Sequence, residues 1–253
     1  MRAYLSRWVC LDPESNLKRF RDETAAAVAG GAELVVFPEL FLTGYTRTLE
    51  PERAWTAFAE ASRAAGGALL VCGSVSVGRA NRLTCWCSGE QVAAYDKVHL
   101  FRPNGEHERW DPGNRYVAFT WRGLTIGLMN CNDVRFPEQA RALKLRAGAE
   151  LLVAPAWWPW RRDHVWRTLL AARAIESSAW VLGCAIEASV APGEDFAGAG
   201  NHVFGPGGEP VRTPDDRFWQ LDLGGAAAPV VDTAAQFVDI RCVERDGELL
   251  RES

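Results

Sequence analysis

The feature that most constrains the fold of this chain is a repeated change of hydrophobic period, from amphipathic segments of helix length to short runs that are wholly apolar. From Asn16 the apolar positions Leu17, Phe20, Ala27 and Val28 recur at helical spacing and stop at Gly30 and Gly31, after which Leu34-Val35-Val36-Phe37 carries no polar face. Apolar residues three and four apart share one side of a helix, whereas a short run with both faces apolar fits a strand covered on both sides. A second helix is expected from near Pro51, turning Trp55, Phe58 and Ala59 inward and ending at Gly66 and Gly67 before a strand from Ala68 to Val77. The pattern returns as helix (Pro137 to Ala147), strand (Glu150 to Ala154), helix (His164 to Ser178) and strand (Trp180 to Ile186). Helices alternating with strands predict layered α/β architecture.

Between the two halves, short strands punctuated by Asn81, Ser88-Gly89 and Arg122-Gly123 read as neighbours in one sheet joined by tight turns. The small residues from Gly224 to Ala228, closed by Pro229, read as a loop. No internal repeat or linker divides the chain, so residues 1–253 are expected to form a single domain.

Hydrophobic residues make up 48% of the chain and charged residues 24%, the balance of a globular protein able to bury a sizeable core. The formal net charge of −4 is spread without long blocks of one sign, which gives no attraction for nucleic acid or an acidic membrane surface. The longest apolar runs, such as Leu34 to Phe37 and Leu151 to Pro155, are too short to span a bilayer. Arg7, Asp12 and Glu14 interrupt the N-terminal stretch before an apolar segment of signal-peptide length develops, and a cytoplasmic location is expected.

The cysteines are Cys10, Cys72, Cys85, Cys87, Cys131, Cys184 and Cys242, an odd number scattered along a chain large enough to need no staples, which predicts reduced thiols. Cys85 and Cys87 lack metal-knuckle spacing and would share one face of a strand. The histidines (His99, His107, His164 and His202) show no paired ligand spacing, so no metal site is expected.

Three segments place a reactive side chain at the end of an apolar strand, where α/β folds build their clefts. In ELVVFPELFLTGY, Glu33 to Tyr45, Glu39 follows the strand and Pro38; in YDKVHLF, Tyr95 to Phe101, Lys97 sits at a strand end with Glu106 nine positions on. In GLTIGLMNCNDVRFPE, Gly123 to Glu138, the strand Leu124 to Met129 runs into Asn130-Cys131-Asn132. Each residue also has an ordinary alternative when taken alone: a carboxylate facing solvent, a solvated ammonium, a small buried hydrophobe.

Together and in this order, FPELFLTGY, YDKVHLF and CNDVRFPE resemble the Glu, Lys and Cys motifs of the nitrilase superfamily of carbon-nitrogen hydrolases. The resemblance covers about Asn16 to about Val211. It implies a four-layer αββα sandwich, usually a homodimer, with Glu39 as general base, Lys97 as oxyanion stabiliser, Cys131 as nucleophile and Glu106 as an additional active-site glutamate. It implies no cofactor. Asn132 stands where many members have Tyr, and Asn201 where a Ser is common; neither change touches the trio. The chain ends soon after VDIRCVERDGELL, so much of the C-terminal tail that often crosses the dimer interface is expected to be lacking.

These residue types suit the chemistry. An amide carbonyl is a poor electrophile, and its hydrolysis needs a strong nucleophile, a proton shuttle for the leaving amine and a charge to hold the oxyanion. The implied route is attack by Cys131, protonation of the departing nitrogen by Glu39 and hydrolysis of a thioester, with Lys97 and the backbone N–H of Asn132 binding the oxyanions. Lys97 is also expected to favour the Cys131 thiolate.

Within the superfamily, YDKVHLFRPNGEHERW and LLAARAIESSAWVLGC are most similar to bacterial omega-amidase-like proteins, which implies as substrate the terminal amide of a small linear carboxylic or 2-oxo acid, with release of ammonia. Trp157, Trp158 and Trp160 follow a strand near the family's pocket wall, where rings favour a small substrate or serve as core packing. Arg161 and Arg162 suit a substrate carboxylate or a solvated surface. The same trio would serve an N-carbamoyl-amine hydrolase or a nitrilase, and a non-catalytic binding protein could retain the fold. Gly198-Ala199-Gly200 lacks the later glycine and preceding strand of a dinucleotide fingerprint.

Overall fold

The computed structural model describes residues 1–190, 196–215 and 217–223, together with the paired backbone segments Cys242–Arg245 and Glu248–Arg251. In chain order the elements are β1 (Arg2–Leu5), β2 (Val9–Cys10), α1 (Pro13–Ala29), β3 (Leu34–Phe37), α2 (Pro51–Ala64), β4 (Leu69–Val77), β5 (Ala80–Cys87) and β6 (Glu90–Asp96). They continue with α3 (Glu106–Arg109), β7 (Ala118–Trp121), β8 (Leu124–Leu128), α4 (Pro137–Ala147), β9 (Leu151–Ala156), α5 (Asp163–Ser177) and β10 (Trp180–Ala185). After these come β11 (Ala188–Ser189), β12 (Phe196–Ala197), β13 (His202–Phe204), β14 (Pro210–Val211), β15 (Phe218–Gln220), β16 (Cys242–Arg245) and β17 (Glu248–Arg251). The loop expected over Gly224 to Ala228 lies outside the described residues.

Two six-stranded sheets carry the fold, ordered β15-β1-β3-β4-β5-β6 and β14-β13-β10-β9-β8-β7. Each has a parallel centre, β1 with β3 and β4 in the first and β8, β9 and β10 in the second, flanked by antiparallel strands. Because β15 pairs with β1, residues from both ends of the described stretch share one sheet.

Alternation along the strands sorts side chains into layers. Leu34, Val36, Leu69, Val71 and Leu83 of the first sheet meet Ile126, Leu128, Leu151, Val153 and Leu182 of the second. On the outer face of the first sheet, Val35, Phe37 and Leu70 pack under Leu17 and Phe20 of α1 and Phe58 of α2. On the outer face of the second, Leu152 and Val181 pack under Leu143 of α4 and Trp166 and Leu170 of α5. Helix, sheet, sheet and helix therefore stack as an αββα sandwich. The apolar runs read as doubly covered strands are covered by the other sheet on one side and by helices on the other.

The helices start where their caps allow. The Asp12 side chain accepts from Ser15 N at 3.0 Å and Pro13 opens α1, while Pro51 and Pro137 open α2 and α4.

Two sequence expectations are corrected. The middle strands do not form one sheet: the Ser88-Gly89 turn joins β5 to β6 in the first sheet, and the Arg122-Gly123 turn joins β7 to β8 in the second. Asn81 is not a turn residue but lies inside β5, buried, opposite Ser76 of β4; the turn there falls at Gly78 and Arg79.

Candidate functional site

Each of the three reactive residues sits just past the end of a strand, where the ladder stops and the chain can turn its side chain into the interior. Glu39 follows β3. In β4 the register shifts between Val71 and Ser74, and Gly73 adopts φ +52°, where a Cβ would lie 1.9 Å from the carbonyl oxygen of Pro38. Only glycine permits that approach. Ser74 Oγ then accepts from Leu40 N at 3.2 Å and fixes the turn that aims Glu39 inward.

Lys97 follows β6, its N–H bonded to the carbonyl of Asn81 at 3.0 Å. Cys131 opens a single 3-10 turn, Cys131–Arg135, after β8, and takes φ +51°, a left-handed conformation that side chains other than glycine rarely hold without surrounding support. Asp133 supplies it. Its buried carboxylate accepts from Asn130 N (2.8 Å), Tyr95 Oη (2.7 Å) and His99 N (3.0 Å) and lies 2.9 Å from His99 Nδ1. Tyr95 and His99 flank Lys97, so one carboxylate ties the Cys131 turn to the segment that bears the lysine.

The three side chains and Glu106 converge. Lys97 Nζ donates to Glu39 Oε1 at 2.8 Å and to the Glu106 carboxylate at 2.9 Å, and all three side chains have no solvent exposure. Glu39 Oε1 also accepts from Asn81 Nδ2 at 2.9 Å, and Oε2 from the backbone N–H of Trp157 at 3.0 Å. Glu106, at the start of α3, accepts from Tyr45 Oη at 2.6 Å and Phe101 N at 2.7 Å. The Cys131 thiol donates to the Trp157 carbonyl at 3.8 Å and lies close enough to Glu39 to feel its charge.

Burial pushes the Glu39 carboxyl above the ordinary carboxylate range, opposed by the Lys97 charge and reinforced by Glu106. Burial pulls Lys97 down, but the charges of Glu39, Cys131 and Glu106 outweigh it and hold the group above a free lysine, so it is an ammonium at any physiological pH. Burial and the Glu39 charge drive the Cys131 thiol well above its ordinary value, against the pull of Lys97. Lys97 acts in the expected direction, favouring the thiolate, but burial and the Glu39 charge outweigh it. Low dielectric and a nearby carboxylate outweigh one ammonium that is already shared with two carboxylates.

In front of this cluster lies a cavity of about 650 Å³. Cys131, Asn132, Glu106 and Tyr45 reach its wall, whereas Glu39 and Lys97 lie behind it. Trp157, Trp158, Trp160, Arg161 and Arg162 all line it, as does Arg135. Trp157 and Trp158 are buried, Trp160 is 67% exposed at the rim, and Arg161 is exposed. Arg135 lies over the Trp158 ring at 4.5 Å and Arg162 over Phe101 at 5.2 Å, both with a buried Nε that has no hydrogen-bond partner. Asn132 is held by its Nδ2, which donates to the His99 carbonyl at 3.0 Å. Asn201 lies away from the cavity wall and ties the end of β1, donating to the carbonyls of Leu5 and Ser6.

The sequence missed Asn81, Arg135, Asp133 and Tyr45. Tyr45 and Asp133 lie inside quoted motifs without a role, and Asn81 carried a turn signal that its tertiary surroundings overrule. No cluster of His, Cys, Asp or Glu among the described residues could hold a metal ion, and no helix there is long and apolar enough to cross a membrane.

The carbon-nitrogen hydrolase family model matches residues 3–186. The omega-amidase YafV of Escherichia coli strain K12 is 34% identical over 218 residues, 82% of this chain and 81% of that protein. The 2-oxoglutaramate amidase of Bacillus subtilis strain 168 is 32% identical over 178 residues, 66% and 68% of the two chains. Among solved structures, XC1258 from Xanthomonas campestris, a CN-hydrolase superfamily protein, superposes with a TM-score of 0.79 at 26% identity, covering 90% of this chain and 92% of that one. The αββα sandwich, the three motifs at its strand ends and these likenesses agree, and the chain belongs to the carbon-nitrogen hydrolase family.

Proposed function

We propose that the cavity is the active site of a thiol amidase that hydrolyses the terminal amide of a small linear carboxylic or 2-oxo acid. The observation that carries it is the buried contact of Glu39 with both Lys97 Nζ (2.8 Å) and the Cys131 thiol directly behind the cavity wall. Glu39 takes the thiol proton as Cys131 Sγ attacks the amide carbon, then delivers it to the departing nitrogen, so that ammonia leaves and a thioester stays on Cys131. A water molecule next gives its proton to Glu39 and attacks the thioester; the acid departs and the thiol is restored. An ammonium has three donors, and two carboxylate partners leave Lys97 one for the oxyanion, beside the backbone N–H of Asn132. Glu106 holds Lys97 in place.

The substrate class rests on charge and on likeness. Among the described residues, the cavity wall carries the cations Arg135, Arg161 and Arg162 and, besides Glu106, which is held by Lys97, no other carboxylate. Neither Arg135 nor Arg162 forms an ion pair among the described residues, so both guanidinium groups are open to a substrate carboxylate. Trp157 and Trp158 narrow the space to a small acid. The relatives named for omega-amidase and 2-oxoglutaramate amidase activity point the same way. A cytoplasmic homodimer accords with the family; Ile175 on α5 and Val190, large aliphatic side chains at 50% and 65% exposure, are candidates for burial between protomers, and sedimentation measures it.

The test is ammonia release from small ω-amides, 2-oxoglutaramate among them, by wild type and Cys131→Ala. Release by wild type alone supports the proposal, and Arg135→Met is expected to raise KM for acid amides at least about tenfold while sparing neutral amides. Activity confined to nitriles or carbamoyl compounds overturns the amidase, and a Cys131 inert to alkylation with every substrate refused points to a binding protein.

A further inference from the structure

Asn81 is a residue that a strand has no use for. Asparagine is depleted in strands because its carboxamide competes for backbone hydrogen bonds, and here it is 1% exposed inside β5 with its main chain already paired across the sheet. Its side chain instead joins two parts of the reactive cluster: Nδ2 donates to Glu39 Oε1 at 2.9 Å, and Oδ1 accepts from Asn130 Nδ2 at 3.3 Å. Asn130 immediately precedes Cys131.

The orientation of both carboxamides follows from the carboxylate. Glu39 only accepts, so the NH2 of Asn81 must face it, which turns the Asn81 oxygen toward Asn130 and requires an NH2 there; flipping either amide would set two oxygens against each other. Each carboxylate oxygen has two lone pairs. Lys97 and Asn81 occupy both on Oε1, and both are donors that cannot accept a proton from it. Oε2 accepts from the backbone N–H of Trp157 and keeps its second lone pair for the moving proton.

We propose that Asn81, held by Asn130, is a positioning residue that saturates Oε1 of Glu39 and so directs the moving proton to Oε2. This rests on Glu39 being the base. In the transfer, the Cys131 S–H bond breaks and an O–H bond forms on Oε2 as the sulfur electron pair goes to the amide carbon; the same proton then leaves Oε2 for the nitrogen. The charged and titratable groups facing Glu39 are Lys97 after β6, Glu106 at the start of α3, Cys131 after β8 and the Tyr45 phenol. A change at Asn81 alters none of them directly.

The experiment measures alkylation of Cys131 by iodoacetamide against pH, a readout that needs no knowledge of the substrate, alongside ammonia release and melting temperature. Asn81→Asp keeps the shape and sets a second carboxyl against Oε1, where like charge makes Glu39 hold its proton more tightly. The expected result is an acid limb moved up by about one pH unit, with the rate at pH 7 reduced about tenfold. Asn130→Ser, which frees the far end of the same chain, shifts the limb in the same direction by less and covers the case in which Asn81→Asp does not fold. A folded variant with an unmoved limb overturns the proposal whether or not its turnover falls, because a merely structural role lowers rates without shifting the limb. Glu39→Gln separates the two levels: if it leaves alkylation and hydrolysis unchanged, the base assignment has failed, whereas loss in Glu39→Gln with unmoved limbs in the Asn variants sinks the Asn81 role alone.

Discussion

Replacing Lys97 by Met tests whether the buried charges are mutually dependent. The change keeps an unbranched chain of similar length and removes the ammonium from between Glu39 and Glu106, 2.8 and 2.9 Å away in a site with no solvent exposure. Removing one partner of a buried ion pair leaves an uncompensated charge, at a cost of about 3–5 kcal/mol. In a domain of this size each kcal/mol lowers the melting temperature by about 2 °C, so a drop of about 6–10 °C is expected at pH 8. The loss must also depend on pH. Burial already raises the Glu39 carboxyl with Lys97 in place, and removing the cation raises it further. The folded variant then binds more protons than its unfolded chain, so its stability is present at low pH and lost as pH rises from the unfolded carboxyl value of about 4.3 through the raised folded one. Scanning calorimetry of wild type and variant from pH 5 to 8 measures the difference. A variant that melts within about 1 °C of wild type at pH 8, or a deficit that does not shrink toward pH 5, would refute the coupling.

Glu106→Gln preserves shape but weakens the seat of Lys97, and steady-state assays should show kcat reduced about a hundredfold, short of the complete loss expected for Cys131→Ala. Gly183→Ala places a Cβ 2.3 Å from Leu170 Cδ1 and 2.8 Å from Trp166 Cζ2, forcing α5 away from β10. Overpacking of this kind destabilises by about 1–3 kcal/mol, readable as a lower melting temperature with KM unchanged.

The doubly apolar runs Leu34 to Phe37 and Leu151 to Pro155 were legible as covered strands because hydrophobic period is a local property, and period, glycines and prolines together bounded α1, α2 and α4 closely. Glu39, Lys97 and Cys131 could be singled out because each follows a strand within a recognisable motif. What joined the strands was not local: β6 and β7 are consecutive strands along the chain yet belong to different sheets, since pairing is decided by which edges meet after the chain crosses over.

The sequence by itself determined the strand and helix periods, the thiol, carboxylates and ammonium available, and the family that their order resembles. Only the tertiary structure decided how those groups behave. Burial of the whole cluster raises both the Cys131 thiol and the Glu39 carboxyl above their ordinary ranges, because dielectric and neighbouring charge are properties of the packed interior. The same packing turns Asn81 from an expected turn residue into a donor on Glu39, because whether a carboxamide faces water or a buried oxygen depends on what the second sheet brings against it.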